Sequence, residues 1–170
     1  QSDQLILPGV GHFSNAVHEL KTRGLWDILD NEVLVNKKPI LGICLGMQIM
    51  THSSQEGTLP GLGWFDAVTL KFEFPGATPK VPHMGWNNLT LTRPHPLTAH
   101  IQSDTRFYFI HSYYIQSRDT GQVIARSSHG FGFDAILANG HIMACQFHPE
   151  KSHRQGIGLI HNFIRLSHGS

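Results

Sequence analysis

The sequence predicts an α/β fold with a mainly parallel central sheet and an antiparallel extension, and three observations lead there. Leu5-Ile6-Leu7 and Ile40-Leu41-Gly42-Ile43 are short apolar runs without alternation, as in strands buried on both faces. The residues between them carry helical periodicity, which makes a βαβ crossover into a parallel pair the natural connection. After Gly63 the pattern changes to short alternating segments separated by turn residues, which is how antiparallel strands read.

Taken in order, Leu5-Ile6-Leu7 is a buried strand ending in Pro8-Gly9-Val10-Gly11, a turn with two glycines. At the carboxyl end of a parallel strand such a turn either aims backbone amides into a crevice or simply joins strand to helix. Ser14 is the expected N-cap of a helix through Val17 and Leu20, with Phe13 stapled onto Val17. Gly24 breaks that helix, and Leu25, Ile28 and Leu29 begin a second helical stretch. The run Lys38–Thr51 is the centre of the chain: the strand at Ile40 passes into Cys44-Leu45-Gly46-Met47-Gln48-Ile49-Met50, a proline-free helical segment. Ser53–Gly63 is polar, glycine-rich loop.

Asp66–Phe72, Leu89–Leu91, Arg106–Ile110 and Gln122–Ala125 are the expected antiparallel strands. Two stretches among them stand out. Pro82-His83-Met84-Gly85-Trp86-Asn87 mixes aromatic, amide and glycine. Phe107–Tyr114 is an aromatic strand ending in polar groups able to meet a ligand, and pattern alone assigns both stretches to the core. The last strand is Ile142–Phe147, followed by His148-Pro149-Glu150-Lys151-Ser152. From Gln155 an amphipathic helix carries Ile157, Leu159, Ile160, Phe163, Ile164 and Leu166 and runs into polar 167–170. With no repeat, low-complexity tract or linker, residues 1–170 read as one domain. Position 1 is not methionine and an apolar strand follows almost at once, so the chain reads as starting mid-domain.

Composition narrows the function. A 170-residue chain that is 40% hydrophobic is long enough for one packed core. A formal net charge of +1 argues against a nucleic-acid partner or an acidic membrane. No run reaches the roughly 18 apolar residues of a membrane span, and Gln1-Ser2-Asp3-Gln4 has no signal-peptide character. Two cysteines are too few for a disulfide framework, which points to a reducing, cytoplasmic setting. The thirteen histidines are scattered, without His-x-x-x-His spacing. His141, Cys145 and His148 fall on different faces of a strand, so no metal and no cofactor is expected.

The chemistry concentrates in two motifs. Gly42-x-Cys44-x-Gly46 is the thiol counterpart of the Gly-x-Ser-x-Gly nucleophile elbow: a sharp strand-to-helix turn strains the nucleophile, and flanking glycines let the chain pass closely. The turn puts Cys44 at a helix N-terminus, where backbone N–H groups favour a thiolate and the Leu45 amide can face an oxyanion. The alternative is a buried cysteine in a glycine-rich turn. His148 and Glu150, two apart across Pro149 just past a strand end, form a base and its orienter, whereas Cys145 lies within the strand as a packing thiol. Cys, His and Glu at strand ends make a nucleophile–base–orienter set for acyl transfer, without identifying the acyl donor.

Gly42-Ile43-Cys44-Leu45-Gly46-Met47-Gln48 together with Phe147-His148-Pro149-Glu150 resembles the signature of class I, triad-type glutamine amidotransferases. Within that class the chain is most similar to the glutaminase subunits of imidazole glycerol-phosphate synthases. That likeness rests on Leu7–Gly11, Pro82–Asn87, Phe107–Tyr114 and Gln146–Ser152. The resemblance covers nearly the whole chain and implies a flavodoxin-like three-layer sandwich whose first strand and helix are missing here. It implies a γ-glutamyl thioester on Cys44 with His148 and Glu150 completing the triad. It assigns the oxyanion strand to Gly9, Val10 and Gly11 with Leu45, and glutamine binding to Gly46, Gln48, Ser112 and Tyr113. It sets Met84, Gly85, Trp86, Asn87 and Lys151 towards a (βα)8-barrel synthase (cyclase) subunit in a heterodimer, which receives the ammonia and closes the imidazole ring of a histidine precursor. His12 departs from the small residue usual beside the oxyanion turn. Three other readings are compatible with parts of the pattern. One is a paralogous subunit supplying ammonia for amination of a surface-polysaccharide sugar, suggested by Lys151-Ser152-His153. The others are a cysteine hydrolase of the same sandwich architecture and a non-catalytic subunit that only binds a partner.

Overall fold

The computed structural model describes residues 2–76 and 78–166. Strand β1 (Leu5–Gly9) leads into helices α1 (Phe13–Thr22) and α2 (Leu25–Asp30), and a π-helical turn over Asn31–Val35 returns the chain to β2 (Ile40–Cys44). Five-residue α3 (Leu45–Ile49) follows directly, then the loop and β3 (Ala67–Lys71). The later strands are β4 (His83–Asn88), β5 (Thr90–Leu91), β6 (Arg106–His111), β7 (Tyr113–Ser117), β8 (Val123–His129), β9 (Phe131–Asn139) and β10 (Ile142–Cys145). Helix α4 (His153–Leu166) closes the described chain. None of these helices is long and apolar enough to cross a membrane.

Among the described residues the main sheet runs β1-β2-β10-β9-β7-β3, with β8 against β9 and β5 against β8, and β4 and β6 pair as a separate two-stranded ribbon. The predicted βαβ unit is present, since β1 and β2 are parallel and β10 joins β2 in the same direction. The parallel part is these three strands, and the antiparallel part is the larger. Parallel pairing needs a long crossover, whereas the short β8–β9 and β9–β10 connections make antiparallel neighbours.

Alternation along the central strands buries the sheet on both faces. Leu41, Ile43, Met143, Cys145, Ile136 and Ala138 enter a core shared with Phe107, Phe109, Leu159 and Phe163. Ile40, Ile142, Ala144 and Leu137 point the other way, into a core with Met47, Met50, Trp64 and Phe65. Each fully buried Leu, Ile, Phe or Met side chain among these contributes about 1.5–3 kcal/mol. A third cluster, Phe13 and Val17 against Leu45 and Ile49, seats α1 on α3.

Three local expectations are corrected. The N-cap of α1 is His12, in extended backbone, and not Ser14. The Phe13 N–H is satisfied by the Glu56 carboxylate at 2.8 Å, which comes from the loop, and Gly57 packs so tightly on Ser14 that a Cβ there would lie 1.8 Å from the hydroxyl. Phe107–Tyr114 is two strands in different sheets, broken at Ser112, where the chain leaves the ribbon for the main sheet. Helix α4 starts at His153 and buries Gly156, Leu159 and Phe163, leaving Ile157 and Ile164 on its outer side. The polar tail at 167–170 lies outside the described residues.

Candidate active site

The parallel register assembles the site. Gly9 sits opposite Cys44, and Cys145 sits opposite Ile43, so β1, β2 and β10 end at one edge of the sheet. The Gly9–Gly11 turn, the nucleophile and the His148 segment therefore leave neighbouring strands side by side, at the carboxyl end where α/β sheets place ligands.

Cys44 has φ 53° and ψ −109°, the strained turn that its flanking glycines predict. The steric reason is explicit. A Cβ on Gly46 would lie 1.8 Å from the Leu7 carbonyl oxygen, and one on Gly42 would lie 2.8 Å from the Met50 sulfur. The expected thiolate is not favoured, however. Burial pushes the Cys44 thiol up to about 11, opposed by the Leu45 N–H and raised further by Glu150. Desolvation outweighs a helix of five residues. Sγ lies 3.9 Å from the Ile110 carbonyl oxygen, and Gln146 Nε2 donates to it at 3.7 Å. The cysteine thus needs a base to attack.

His148 has the form of that base. Its Nδ1 lies 2.6 Å from Glu150 Oε1, and a carboxylate there holds the proton on Nδ1, leaving Nε2 as the lone pair. Nε2 is buried and has no hydrogen-bond partner among the described residues. The backbone is clamped: the His148 N–H donates to the Tyr108 carbonyl at 2.9 Å. The buried Ser152 hydroxyl donates to His148 O at 2.6 Å and accepts from the Tyr108 N–H at 3.0 Å. Glu150 is 56% exposed in its side chain, so the orienting carboxylate is itself partly solvated.

Cys44 and His148 open into one cleft of about 330 Å³. Val10, Gly11, Leu45, Gln48, Ser112, Tyr113 and Lys151 line it as well, which brings most of the sequence-derived set together. Val10 is 80% exposed and Gly11 has φ 103°, so the oxyanion turn is open and built on a glycine conformation. Gln48 donates through Nε2 to the Tyr113 carbonyl and to Gln146 Oε1, both at 3.2 Å. Gly9 and Gly46 do not line this cleft. They form the tight contact between β1 and the elbow, where a Cβ on Gly9 would come 3.0 Å from that of Leu45.

Met84 (58% exposed) and Trp86 (44%) stand on the outside of β4 with Gly85 at φ 130°, while Asn87 is tied to Ser128 O at 2.8 Å. Sequence reasoning missed Glu56 altogether and named Pro82, Ile110, His111 and Gln146 only within longer stretches, with no individual role at or beside the cleft. Ile110 acts through its backbone and Glu56 sits in an irregular loop, so neither leaves a pattern. Gln146 stands two residues before His148 and was the one available signal. His141 lies elsewhere, its Nε2 2.7 Å from the Val33 carbonyl oxygen.

Comparisons with known proteins show what the chain is similar to in sequence and in fold. The imidazole glycerol phosphate synthase subunit HisH 2 of Pseudomonas aeruginosa is 42% identical over 98% of this chain and 82% of its own length. HisH 1 of Campylobacter jejuni is 46% identical over 98% and 82%, and HisH of Leptospira interrogans 41% over 96% and 81%. The fold matches a crystal structure of a glutamine amidotransferase with a TM-score of 0.71, at 19% identity over 98% of this chain and 79% of that one. PurLQS from Thermotoga maritima matches with 0.66, at 16% identity over 95% and 79%. Residues 2–166 match the glutamine amidotransferase class-I family, and with relatives this similar over this much of its length the chain belongs to that family.

Proposed function

We propose that this protein hydrolyses L-glutamine to glutamate and ammonia and passes the ammonia to the other subunit of a synthase making imidazole glycerol phosphate and AICAR in histidine biosynthesis. The observation that carries the chemistry is that Cys44 shares a cleft with His148, whose Nδ1 lies 2.6 Å from Glu150 Oε1. The Cys44 thiol gives its proton to His148 Nε2 as Sγ attacks the γ-carbonyl carbon. The oxyanion is held by the Leu45 N–H and a peptide N–H of Gly9–Gly11, a donor of that kind being worth about 3 kcal/mol. His148 returns the proton to the leaving nitrogen, ammonia departs, and a γ-glutamyl thioester remains. His148 then takes a proton from water, whose oxygen attacks the thioester, and glutamate leaves with the thiol restored. Gln48, Ser112 and Tyr113 hold the amino-acid end of glutamine, and the Glu56 carboxylate in the cleft suits its ammonium.

The partner reading is supported by the names of the relatives, each a subunit of imidazole glycerol phosphate synthase. The partner is a (βα)8-barrel cyclase subunit docking on Met84, Gly85, Trp86, Asn87 and Lys151 to form a heterodimer, and the exposed Met84 and Trp86 support that face. The described chain acts as a single amidotransferase domain. Its compartment is the cytoplasm, in keeping with the unpaired Cys44 and Cys145. The test is ammonia release from glutamine by the protein alone and with the cyclase subunit plus its nucleotide ligand. Stimulation by that subunit is expected. No glutamine hydrolysis in either state would refute the reading, and stimulation only by a sugar-pathway partner would move the same chemistry to the other pathway.

A further inference from the structure

Behind one wall of the cleft lies a histidine pair that the triad chemistry does not use. His111 ends β6 and lines the cleft, and His83 begins β4 directly opposite it in the ribbon. Both are buried, with ring centroids 5.0 Å apart edge to face. His111 Nδ1 lies 2.7 Å from the Tyr113 carbonyl oxygen, His83 Nδ1 lies 3.0 Å from His111 Nε2, and Asn87 Nδ2 lies 3.3 Å from His83 Nε2.

The direction of this chain is determined from both ends. A carbonyl only accepts, so His111 carries its hydrogen on Nδ1 and, when neutral, accepts at Nε2. His83 must then donate from Nδ1 and accept at Nε2, where the Asn87 amide supplies the hydrogen. The Asn87 amide is oriented independently, because its Nδ2 donates to Ser128 O at 2.8 Å and its Oδ1 accepts from the Asn88 N–H at 2.8 Å. Every ring nitrogen is used once, with no conflict. The Tyr113 carbonyl at the inner end also accepts from Gln48, so the chain terminates on the cleft wall itself.

We propose that His83 and His111 are positioning residues: as a neutral pair with a single hydrogen-bond direction, they hold the Ile110–Tyr113 wall of the glutamine cleft and tie it to Asn87 on β4. The role rests on the reading of the cleft as a glutamine site. Neutrality follows from the surroundings. His83 stacks on Phe109 and His129, and His111 packs against Phe72 and Phe133. The titratable groups bearing on them are His129 from β8 and His148 after β10, and both oppose a further positive charge. Burial accordingly holds His83 down to about 4 and His111 down to about 3. A proton added to either ring would set two donors face to face and release the wall.

The test compares His83→Leu, which removes the donor to His111, with His83→Asn, whose amide N–H replaces it. In the complex with the cyclase subunit, His83→Leu raises KM for glutamine about tenfold with kcat within about threefold, and His83→Asn returns KM to within about twofold. An unchanged KM in folded His83→Leu, or a His83→Asn protein as impaired as His83→Leu, would overturn the proposal. Imidazole ¹⁵N shifts of the wild-type protein decide the matter without reference to activity or to the folding of a variant. Both rings should be neutral Nδ1–H tautomers at neutral pH, and an Nε2–H tautomer or an imidazolium at either position overturns it. A wild-type complex that does not hydrolyse glutamine would instead refute the assigned reaction, while the ¹⁵N shifts still decide for or against the pair.

Discussion

The parallel edge β1-β2-β10 and the β4–β6 ribbon contribute to the same cleft in different ways. The edge supplies reacting groups whose form is encoded close by, Cys44 between its two glycines and His148 with Glu150 two positions on, even though Leu7 packs on Gly46 and Tyr108 holds the His148 backbone. The ribbon supplies a wall, held by contacts that span 28 residues between His83 and His111 and 41 between Asn87 and Ser128. Local geometry makes the chemistry, and long-range geometry makes the shape in which the chemistry is useful. Substitutions at the edge should therefore remove turnover or the fold, and substitutions at the ribbon should alter binding.

The largest effect expected is from Cys44→Ala, which should lower glutamine hydrolysis at least about 10³-fold while leaving the complex with the synthase subunit intact. Co-purification with activity assay separates these, and retained turnover would end the assignment. Gly46→Ala comes next. Its Cβ would meet the Leu7 carbonyl oxygen at 1.8 Å, and a loss of about 4 kcal/mol or more is expected from so rigid a clash. Among the described residues a Cβ on Gly132 of β9 would meet only the Ser127 carbonyl oxygen, at an ordinary 3.9 Å, so Gly132→Ala should stay within about 1 kcal/mol. Urea midpoints for the pair measure the contrast, and equal midpoints would show that the elbow relaxes. Glu150→Gln should lower kcat about 10²-fold with little change in stability, because the partly exposed carboxylate acts on the His148 ring and not on the core.

The smallest effect is a slope with pH. His83 and His111 are depressed in the folded protein to about 4 and about 3 from an ordinary 6.5. Above 6.5 both states are neutral and the pair contributes no slope. Below it the unfolded chain takes up protons that the folded one refuses, so stability falls from about pH 6.5 down through about 4 for His83 and about 3 for His111. Denaturant midpoints across that window should drop more steeply for the wild type than for His83→Asn, and identical slopes would show that His83 is charged in the fold.

The legibility of the sequence follows the same division. The βαβ unit, the elbow and the His148–Glu150 pair could be read because each is encoded within a few residues of itself. The broken strand at Ser112 could not, since the aromatic-rich run Phe107–Tyr114 carries no glycine or proline where the sheet changes. The cap of α1 was misassigned to Ser14 because the group that satisfies Phe13 is Glu56, 43 residues away. The thiolate expected at Cys44 failed for a related reason, as burial by distant segments outweighs the local helix end. His83 and His111 read as core residues, and packing does surround them, yet their ring nitrogens form a directional chain that no spacing announces.

The most direct test of the central claim is the intact mass of the protein quenched during turnover of glutamine with the synthase subunit, followed by peptide mapping. The account predicts one γ-glutamyl group on Cys44, absent from Cys44→Ala and longer-lived in Glu150→Gln. A glutamyl group on another residue, or hydrolysis that continues in Cys44→Ala without any adduct, would contradict it.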